Sequence, residues 1–138
     1  MIFAKALGMK KNILFSIFIS MIAIASFGQD NTQKNVKSAL QVGSSREIAP
    51  YLAASVEVKT DKVESTMNKN QAMVVLKDFF RAHSPKSFEY NHLGESPSGS
   101  LYGIGTYQAY DGSFRVYLKY TKVGTTFYLD TIEFTKEN

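Results

Sequence analysis

The sequence of 138 residues contains no cysteine, no tryptophan and only three prolines. Without cysteine the chain cannot form a disulfide, perform thiolate chemistry or receive the lipid that modifies an amino-terminal cysteine. A domain built from this sequence must therefore be stabilised by packing alone.

The chain also has almost no excess of positive over negative charge once the amino-terminal segment is set aside. The whole chain has 16 Lys and Arg against 12 Asp and Glu, a formal net charge of +4. Residues 1–28 hold three of the basic residues and none of the acidic ones, so the remainder carries 13 minus 12, or +1. Lysine and glutamate are interspersed there, without the basic stripe that nucleic-acid binding requires. We therefore expect no nucleic-acid partner.

The amino-terminal segment has the pattern of a signal peptide. A basic stretch ends at Lys11, an apolar run follows over residues 13–25, and small residues lead to Gly28. The apolar run is shorter than the roughly 20 residues of a membrane-spanning helix, and no second run occurs later. We expect residues 1–28 to be removed, with cleavage after Gly28 preferred over cleavage after Ala25. The mature protein is then periplasmic or extracellular, with no membrane span.

Residues 29–138 predict a single domain with three helices in its first half. Apolar residues recur at helical spacing in each predicted helix. The first is capped by Asp30 or Asn31 and stopped by Gly43, and the second runs from Arg46 to Leu52 with Ser45 as its cap. The third begins at an Asn68 cap, where Gln71 completes a capping box, and ends before Pro85.

Six strands are predicted around these helices. They cover residues 55–60, 63–67, 88–93, 101–110, 113–121 and 126–135. Because helices and strands come in runs rather than in strict alternation, the class is α+β, with a curved antiparallel sheet wrapped around the helices. Gly103 and Gly105 lie inside a strand, which indicates a bulge or a strong bend there.

The order of elements resembles the nuclear transport factor 2-like fold, a cone of curved sheet closed by three helices. Several motifs resemble more closely the family of small exported bacterial proteins called domain of unknown function 4783. They are Leu76–Phe80, Pro85–Phe88, His92, Tyr102–Gly105, Gly112–Tyr117 and Ile132–Phe134. The resemblance covers about residues 33–136. It implies the fold, and it implies no activity, because the family has no established biochemical function.

The sequence GIGTYQAYDGSFRVYLKY, residues 103–120, predicts a β-hairpin. Asp111-Gly112 favours a two-residue turn with positive φ at both positions. That turn pairs Tyr110 with Ser113 and Gln108 with Arg115. Because side chains alternate along a strand, the register assigns each residue to one of two faces.

The two faces of this hairpin differ in character. We predict that one face, here called the inner face, packs on the helix residues Leu76, Phe79 or Phe80. It carries Tyr107, Ala109, Phe114, Val116, Leu118 and Tyr120. The other face, the outer face, is amphipathic and carries Ile104, Thr106, Gln108, Arg115, Tyr117 and Lys119.

The outer face gives one candidate binding site, formed by Gln108, Arg115 and Tyr117. Arg115 either lies in solvent, hydrogen-bonded to Gln108, or anchors an acidic ligand or a protein partner. Proteins of the resembled fold often pair through this face of the sheet, so the resemblance also implies a homodimer.

A second candidate site is a pocket for a small apolar or amphipathic ligand. The chain has eight tyrosines, and a pocket lined by aromatic rings with a few polar tips is the general form of a small-molecule site. We nominate Tyr51, Tyr107 and Tyr120. Packing of these rings in the core is the simpler alternative.

Catalysis has little support in the sequence. The resembled fold hosts isomerases and dehydratases that place an acid or base inside the cone, which leaves an enzyme as the alternative function. His83 is better explained by a favourable position at a helix carboxyl end. His83 and His92 are nine residues apart, with no third ligand at a useful spacing, so we expect no metal and no cofactor. Asp130 is expected to form an ion pair with Lys119 across two strands.

Overall fold

Three α-helices and six strands make up residues 30–138, the part of the chain that the computed structural model describes. The signal peptide predicted for residues 1–28 lies outside the described residues. The helices are α1 (Thr32–Val42), α2 (Ser45–Ile48) and α3 (Lys69–Ala82), with a 3₁₀ turn at Ala49–Tyr51. The strands are β1 (Leu52–Lys59), β2 (Glu64–Asn68), β3 (Pro85–Glu95), β4 (Leu101–Ala109), β5 (Gly112–Val123) and β6 (Thr126–Lys136).

The short helix α2 begins one residue earlier than predicted. Its cap is Ser44, whose Oγ accepts a hydrogen bond from the backbone N–H of Glu47 at 3.1 Å. The predicted cap, Ser45, is instead the first helical residue. Only Gly43 and Ser44 lie between the two helices. Gly43 ends α1 with a φ of +66°, so the extended position required of a cap falls on Ser44.

The long helix α3 forms as the sequence predicts. The Asn68 Oδ1 accepts from the backbone N–H of Gln71, and the Gln71 Oε1 accepts from the backbone N–H of Asn68. This reciprocal capping box satisfies two amide groups that the first turn leaves without helical partners. The apolar stripe of the helix is buried and consists of Ala72, Leu76, Phe79 and Phe80.

The six strands form one sheet in the order β2-β1-β6-β5-β4-β3. All neighbouring strands are antiparallel except β1 and β6, which run parallel, so the sheet is mixed. This parallel pair brings the first strand of the chain beside the last one. The expected α+β class is confirmed, and the sheet is mixed rather than wholly antiparallel as predicted, because β1 joins β6 in parallel.

The hairpin of β4 and β5 turns one residue earlier than predicted. Ala109 pairs with Gly112, and the loop consists of Tyr110 and Asp111, neither of which has a positive φ. Among the residues of this turn, only Gly112 adopts a positive φ, of +152°. Each residue of β5 therefore faces a β4 residue two positions away from the predicted one. A shift of two keeps every side chain on its predicted face, because side chains alternate with a period of two.

The two strand glycines have a different role from the one expected. Two bulges lie in the partner strand β3, where Lys86 and Asn91 are extra residues opposite the continuous strand β4, and the second is across from Gly105. Gly105 instead allows close packing, since a Cβ there would lie 2.5 Å from the Glu89 carbonyl oxygen and 2.7 Å from the Phe88 ring. Gly103 makes room for the Tyr90 ring in the same way.

The inner face of the sheet packs on the helices and forms the core. Phe79 of α3 lies 5.2 Å from the Phe114 ring and 5.6 Å from the Tyr107 ring, measured between centroids. This confirms the predicted contact between α3 and the inner face of the hairpin. The six predicted inner-face residues are all buried: Tyr107, Ala109, Phe114, Val116, Leu118 and Tyr120.

Candidate functional site on the outer face of the sheet

The outer face consists of side chains in the centre of the sheet that are half-buried or exposed, except for the buried Thr131. Three rows of cross-strand neighbours from β4, β5 and β6 make up this face. They are Tyr102–Lys119–Thr131, Ile104–Tyr117–Glu133 and Thr106–Arg115–Thr135. All six outer-face residues predicted from the sequence lie here or beside these rows, and Gln108 extends β4 opposite Ser113.

Tyr117 lies at the centre of the outer face. Ile104 is its neighbour on β4 and Glu133 its neighbour on β6. Arg115 is two residues away on the same strand and therefore projects from the same face. The centre thus combines an aromatic ring and an aliphatic side chain with one charge of each sign.

Arg115 does not bond to Gln108, contrary to the simpler of the two predictions. The shift in register places Arg115 opposite Thr106, while the Gln108 amide donates to the carbonyl of Ala109 at 3.4 Å. Within residues 30–138 the Arg115 guanidinium forms no side-chain hydrogen bond or ion pair within 4.0 Å. Arg115 is exposed and available to a partner.

Short polar contacts fix the side chains along the β3 edge of this face. The Asn91 amide donates to Thr106 Oγ1 at 2.8 Å, and His92 Nε2 lies 3.2 Å from the Tyr102 hydroxyl. The Tyr102 ring also covers Gly94, where a Cβ would lie 2.3 Å from the ring. These contacts hold Tyr102 in one orientation.

The predicted ion pair between Lys119 and Asp130 is present, with 3.6 Å between Nζ and Oδ2. Asp130 is the extra residue at a bulge in β6, and its carboxylate also accepts from the hydroxyls of Thr121 and Thr131. Since three donors surround this carboxylate, its role here is structural. Lys119 is therefore engaged, unlike Arg115.

The tyrosines nominated for a ligand pocket lie apart. Tyr51 is half-buried at the end of the 3₁₀ turn, whereas Tyr107 and Tyr120 are fully buried. The Tyr107 hydroxyl donates to the His83 carbonyl at 2.5 Å, and the Tyr120 hydroxyl lies 2.8 Å from that of Tyr90. Burial raises the pKa of Tyr107 and Tyr120 above the ordinary value, and that of Tyr90 to about 12. Ligand binding by the nominated residues stays a prediction.

Pockets open at several places on the described part of the chain. Four of them have volumes of about 90, 190, 260 and 520 Å³, and neither Tyr107 nor Tyr120 lines any of these four. The 190 Å³ pocket lies at one end of the outer face and is lined by Ser96, Ser98, Ser100, Leu101, Tyr102, Tyr117 and Lys119. The 260 Å³ pocket is apolar and is lined by Leu52, Ala53, Ala54, Val123 and Tyr128.

A bridge of three titratable side chains, which the sequence analysis did not predict, joins two turns to the end of α3. His83 Nδ1 lies 2.7 Å from Asp111 Oδ2, and His83 Nε2 lies 2.9 Å from Asp61 Oδ2. The hydrogen bond with His83 is the main reason that the pKa of Asp111 is lowered. The imidazole also packs between Phe79 and Phe114, with centroids 4.9 and 4.8 Å away. The bridge therefore ties both turns to the core.

Residues 30–138 contain no group of three or more acidic or histidine side chains arranged to hold a metal ion. None of the helices in that range is both long and apolar enough to cross a membrane.

Three helices on one face of a six-stranded mixed sheet define an α+β protein of the nuclear transport factor 2-like or cystatin-like class. The sequence pattern of the family described as "Domain of unknown function (DUF4783)" matches residues 33–135. The chain belongs to this family. No match was found among the curated proteins.

Solved structures agree with this assignment. A DUF4783 family protein from Bacteroides uniformis is 28% identical, with a TM-score of 0.72, over 76% of this chain and 96% of that one. An uncharacterized protein with a cystatin-like fold from Caulobacter vibrioides is 11% identical, with a TM-score of 0.57, over 76% and 84% of the two chains. A putative calcium/calmodulin-dependent protein kinase type II association domain from Thiobacillus denitrificans is 9% identical, with a TM-score of 0.60, over 78% and 93%.

Proposed function

We propose that this protein is an exported, non-catalytic binding domain that associates with another protein through the outer face of its sheet. The observation that carries the proposal is the composition of that face. Its centre presents an aromatic ring, an aliphatic side chain and an unpaired arginine, in Tyr117, Ile104 and Arg115, none of them covered by a described helix. Aromatic residues and arginine are the types most enriched where proteins bind one another.

The filled inner face favours this function over an internal ligand site. Phe88, Tyr107, Phe114 and Phe134 occupy the space between sheet and helices and are almost completely buried. The better candidate site for a small apolar ligand lies outside the core, in the apolar pocket of about 260 Å³ beside Leu52. That volume is slightly below the roughly 300 Å³ at which drug-sized sites begin.

The alternative of an isomerase or dehydratase has less support. His83 is the described histidine closest to a carboxylate, but each of its ring nitrogens already faces an aspartate oxygen. A general base needs a nitrogen that can reach the substrate. The bridge of Asp61, His83 and Asp111 is thus better explained as a structural tie.

Fold analogy gives weaker support to association. The Thiobacillus denitrificans protein carries the description "association domain", and its likeness to this chain extends to the fold alone. Export is proposed from the basic and apolar pattern of residues 1–28. The mass of the protein from its native host should then correspond to a chain that begins at or near Gln29.

The proposal can be tested by placing a charge in the centre of the outer face. Ile104→Glu should abolish association, measured both as self-association by sedimentation and as capture of a partner from the exported fraction of the host. Val74→Glu is the matched control, because Val74 is 60% exposed on α3, away from the sheet face. Circular dichroism must show that both variants are folded. If Ile104→Glu behaves like the wild type in both measurements, the proposal is wrong.

A further inference from the structure

A groove on the helical side of the domain has the features of a second binding site. It lies where the carboxyl ends of α1 and α3 meet the start of β3. We infer that this groove binds a small amphipathic anion, an apolar chain that carries one anionic head group. Its volume of about 520 Å³ is within the range of roughly 300–1,000 Å³ that small-molecule sites have. The inference is separate from the proposed function, which concerns the outer face of the sheet.

The apolar part of the groove is formed by Val42 of α1, Phe80 of α3 and Pro85 of β3. Val42 is 62% exposed, whereas Phe80 is 5% exposed and lies at the bottom of the groove. A Cβ on Gly43 would lie 2.9 Å from the Pro85 ring, so the end of α1 and the start of β3 are in direct contact. The three side chains thus offer an apolar ligand a continuous surface.

Two bases line the groove from α3. Lys77 and Arg81 are four residues apart, on the side of the helix that also carries Phe80. Both are exposed, and neither forms an ion pair within 4.0 Å inside residues 30–138. Like charges at this spacing destabilise a helix. An anion bound between the two bases would therefore be attracted by both and would also relieve their repulsion.

The positive charge of the groove is not offset by a neighbouring acid. None of the described residues that line it is acidic. Asp78, next to Lys77 in the sequence, instead lines the pocket of about 90 Å³ with Asp61. The dipole of α3 accounts for a base in the last turn, where Arg81 lies, but its effect has declined one turn earlier, at Lys77. An anionic ligand accounts for both bases.

The arrangement of charged and apolar residues gives the ligand an orientation. The head group lies between Lys77 and Arg81, where the guanidinium can donate two parallel hydrogen bonds to an oxyanion. The apolar chain then lies over Phe80, towards α1. The Gln41 amide, also in the groove, already donates to the Phe88 carbonyl at 3.1 Å, so recognition of the charge depends on the two bases.

Octanoate tests the inference, with octanol as the probe that has the same chain length and no charge. The wild type at neutral pH should bind octanoate at least about tenfold more tightly than octanol, since only octanoate is attracted by the bases. Titration followed by nuclear magnetic resonance measures both affinities and locates the site. The amide signals of Gly43 and Ser84, which line the groove, should shift with octanoate. Those of Ala53 and Ala54, in the apolar pocket beside β1, should not.

Substitutions in the groove separate the roles of charge and apolar surface. The double variant Lys77→Gln and Arg81→Gln should bind octanoate at least about tenfold more weakly than the wild type and octanol equally well. Val42→Asn should weaken the binding of both probes. Lys34→Gln is the control, because it removes an exposed lysine of α1 that does not line the groove. All these positions are exposed, and circular dichroism should show that each variant is folded.

Four results would overturn the inference. They are equal affinity of the wild type for the two probes, a double variant that binds octanoate as the wild type does, octanoate shifts at Ala53 and Ala54 instead of Gly43, and binding to anionic phospholipid vesicles without binding of free octanoate. The last result would mean a membrane surface. Ile104→Glu, which tests the proposed function, should bind octanoate as the wild type does, so either proposal can fail without the other.

Discussion

The inner and outer faces of the same sheet differ in almost every physical respect, although their residues alternate along the same strands. In β5, Phe114, Val116 and Leu118 are at most 1% exposed, while the intervening Arg115 is exposed. The inner residues pack against other residues of the chain and therefore stabilise the fold. The outer residues have side-chain surface that nothing in the described chain covers, which makes them candidates for binding. Substitutions on the two faces should therefore separate folding from association.

The largest effect is expected from Phe114→Ala. Phe114 is 1% exposed and packs against Phe79 and Tyr107, so its removal leaves a cavity in the aromatic part of the core. We expect a loss of about 3–5 kcal/mol in the free energy of unfolding, measured by urea denaturation. A loss below about 1 kcal/mol would mean that the inner face has been assigned wrongly.

Gly105→Ala should be almost as damaging, although it adds only one methyl group. That methyl would meet the Glu89 carbonyl oxygen, which is backbone and cannot rotate away, and the buried Phe88 ring. We expect a loss of about 1–3 kcal/mol in the same measurement. Thr135→Ala, at an exposed outer-face position of β6, is the control and should stay within about 0.5 kcal/mol. Equal effects of the two substitutions would contradict the close packing on the inner side.

Gly112→Val tests the hairpin turn. The φ of +152° at Gly112 is unfavourable for a β-branched residue, although there is space for a side chain. The expected loss is about 1 kcal/mol or more. Ser113→Val is the control, because Ser113 has no positive φ. An unchanged denaturation midpoint for Gly112→Val would show that the turn can relax to another conformation.

The bridge at the end of α3 should make stability depend on pH. The pKa of Asp111 is lowered in the folded protein, mainly by the hydrogen bond with His83. A carboxyl whose folded pKa lies below its unfolded value stabilises the fold above the unfolded pKa, and this contribution is lost as the pH falls. The difference in stability between the wild type and Asp111→Asn should thus shrink as the pH falls below about 4, the ordinary pKa of an aspartate. Asp78→Asn, at an exposed acid on α3, is the control, and a difference that grows on acidification contradicts the prediction.

The smallest effect on stability is expected from Arg115→Ala. The side chain is exposed and bonds to nothing within residues 30–138, so the free energy of unfolding should change by less than about 0.5 kcal/mol. Association through the outer face, measured by sedimentation and by capture of a partner, should nevertheless weaken. If Arg115→Ala unfolds the protein, Arg115 stabilises the fold as Phe114 does, and the predicted difference between the two faces is wrong.

Much of the fold could be predicted from local patterns. The capping box at Asn68, the stop at Gly43 and the alternation along β5 depend on neighbours only two to four residues apart. The faces of the hairpin were correct even though its turn was misplaced, since the error amounted to two residues, one full period of a strand. The ion pair of Lys119 and Asp130 could also be predicted, because it joins two consecutive strands.

Features that depend on distant parts of the chain were missed or misread. The bridge brings Asp61, His83 and Asp111 together from two turns and a helix end, and no short pattern in the sequence connects them. The role of Gly105 could not be read from β4 alone, because it depends on a ring and a carbonyl of β3. The cap of α2 was predicted at Ser45 and lies at Ser44, because the end of α1 decides where the backbone becomes extended.

The sequence by itself determined the α+β class, the family and the division of each strand into an apolar and a polar side. Those properties follow from periodicity, from turn residues and from composition, which are local. Only the tertiary structure decided that β1 joins β6 in parallel, that the core is filled by aromatic rings, and that Arg115 and Glu133 stand unpaired around Tyr117. These depend on which strands become neighbours and in what register, and that choice is made by packing across the whole domain.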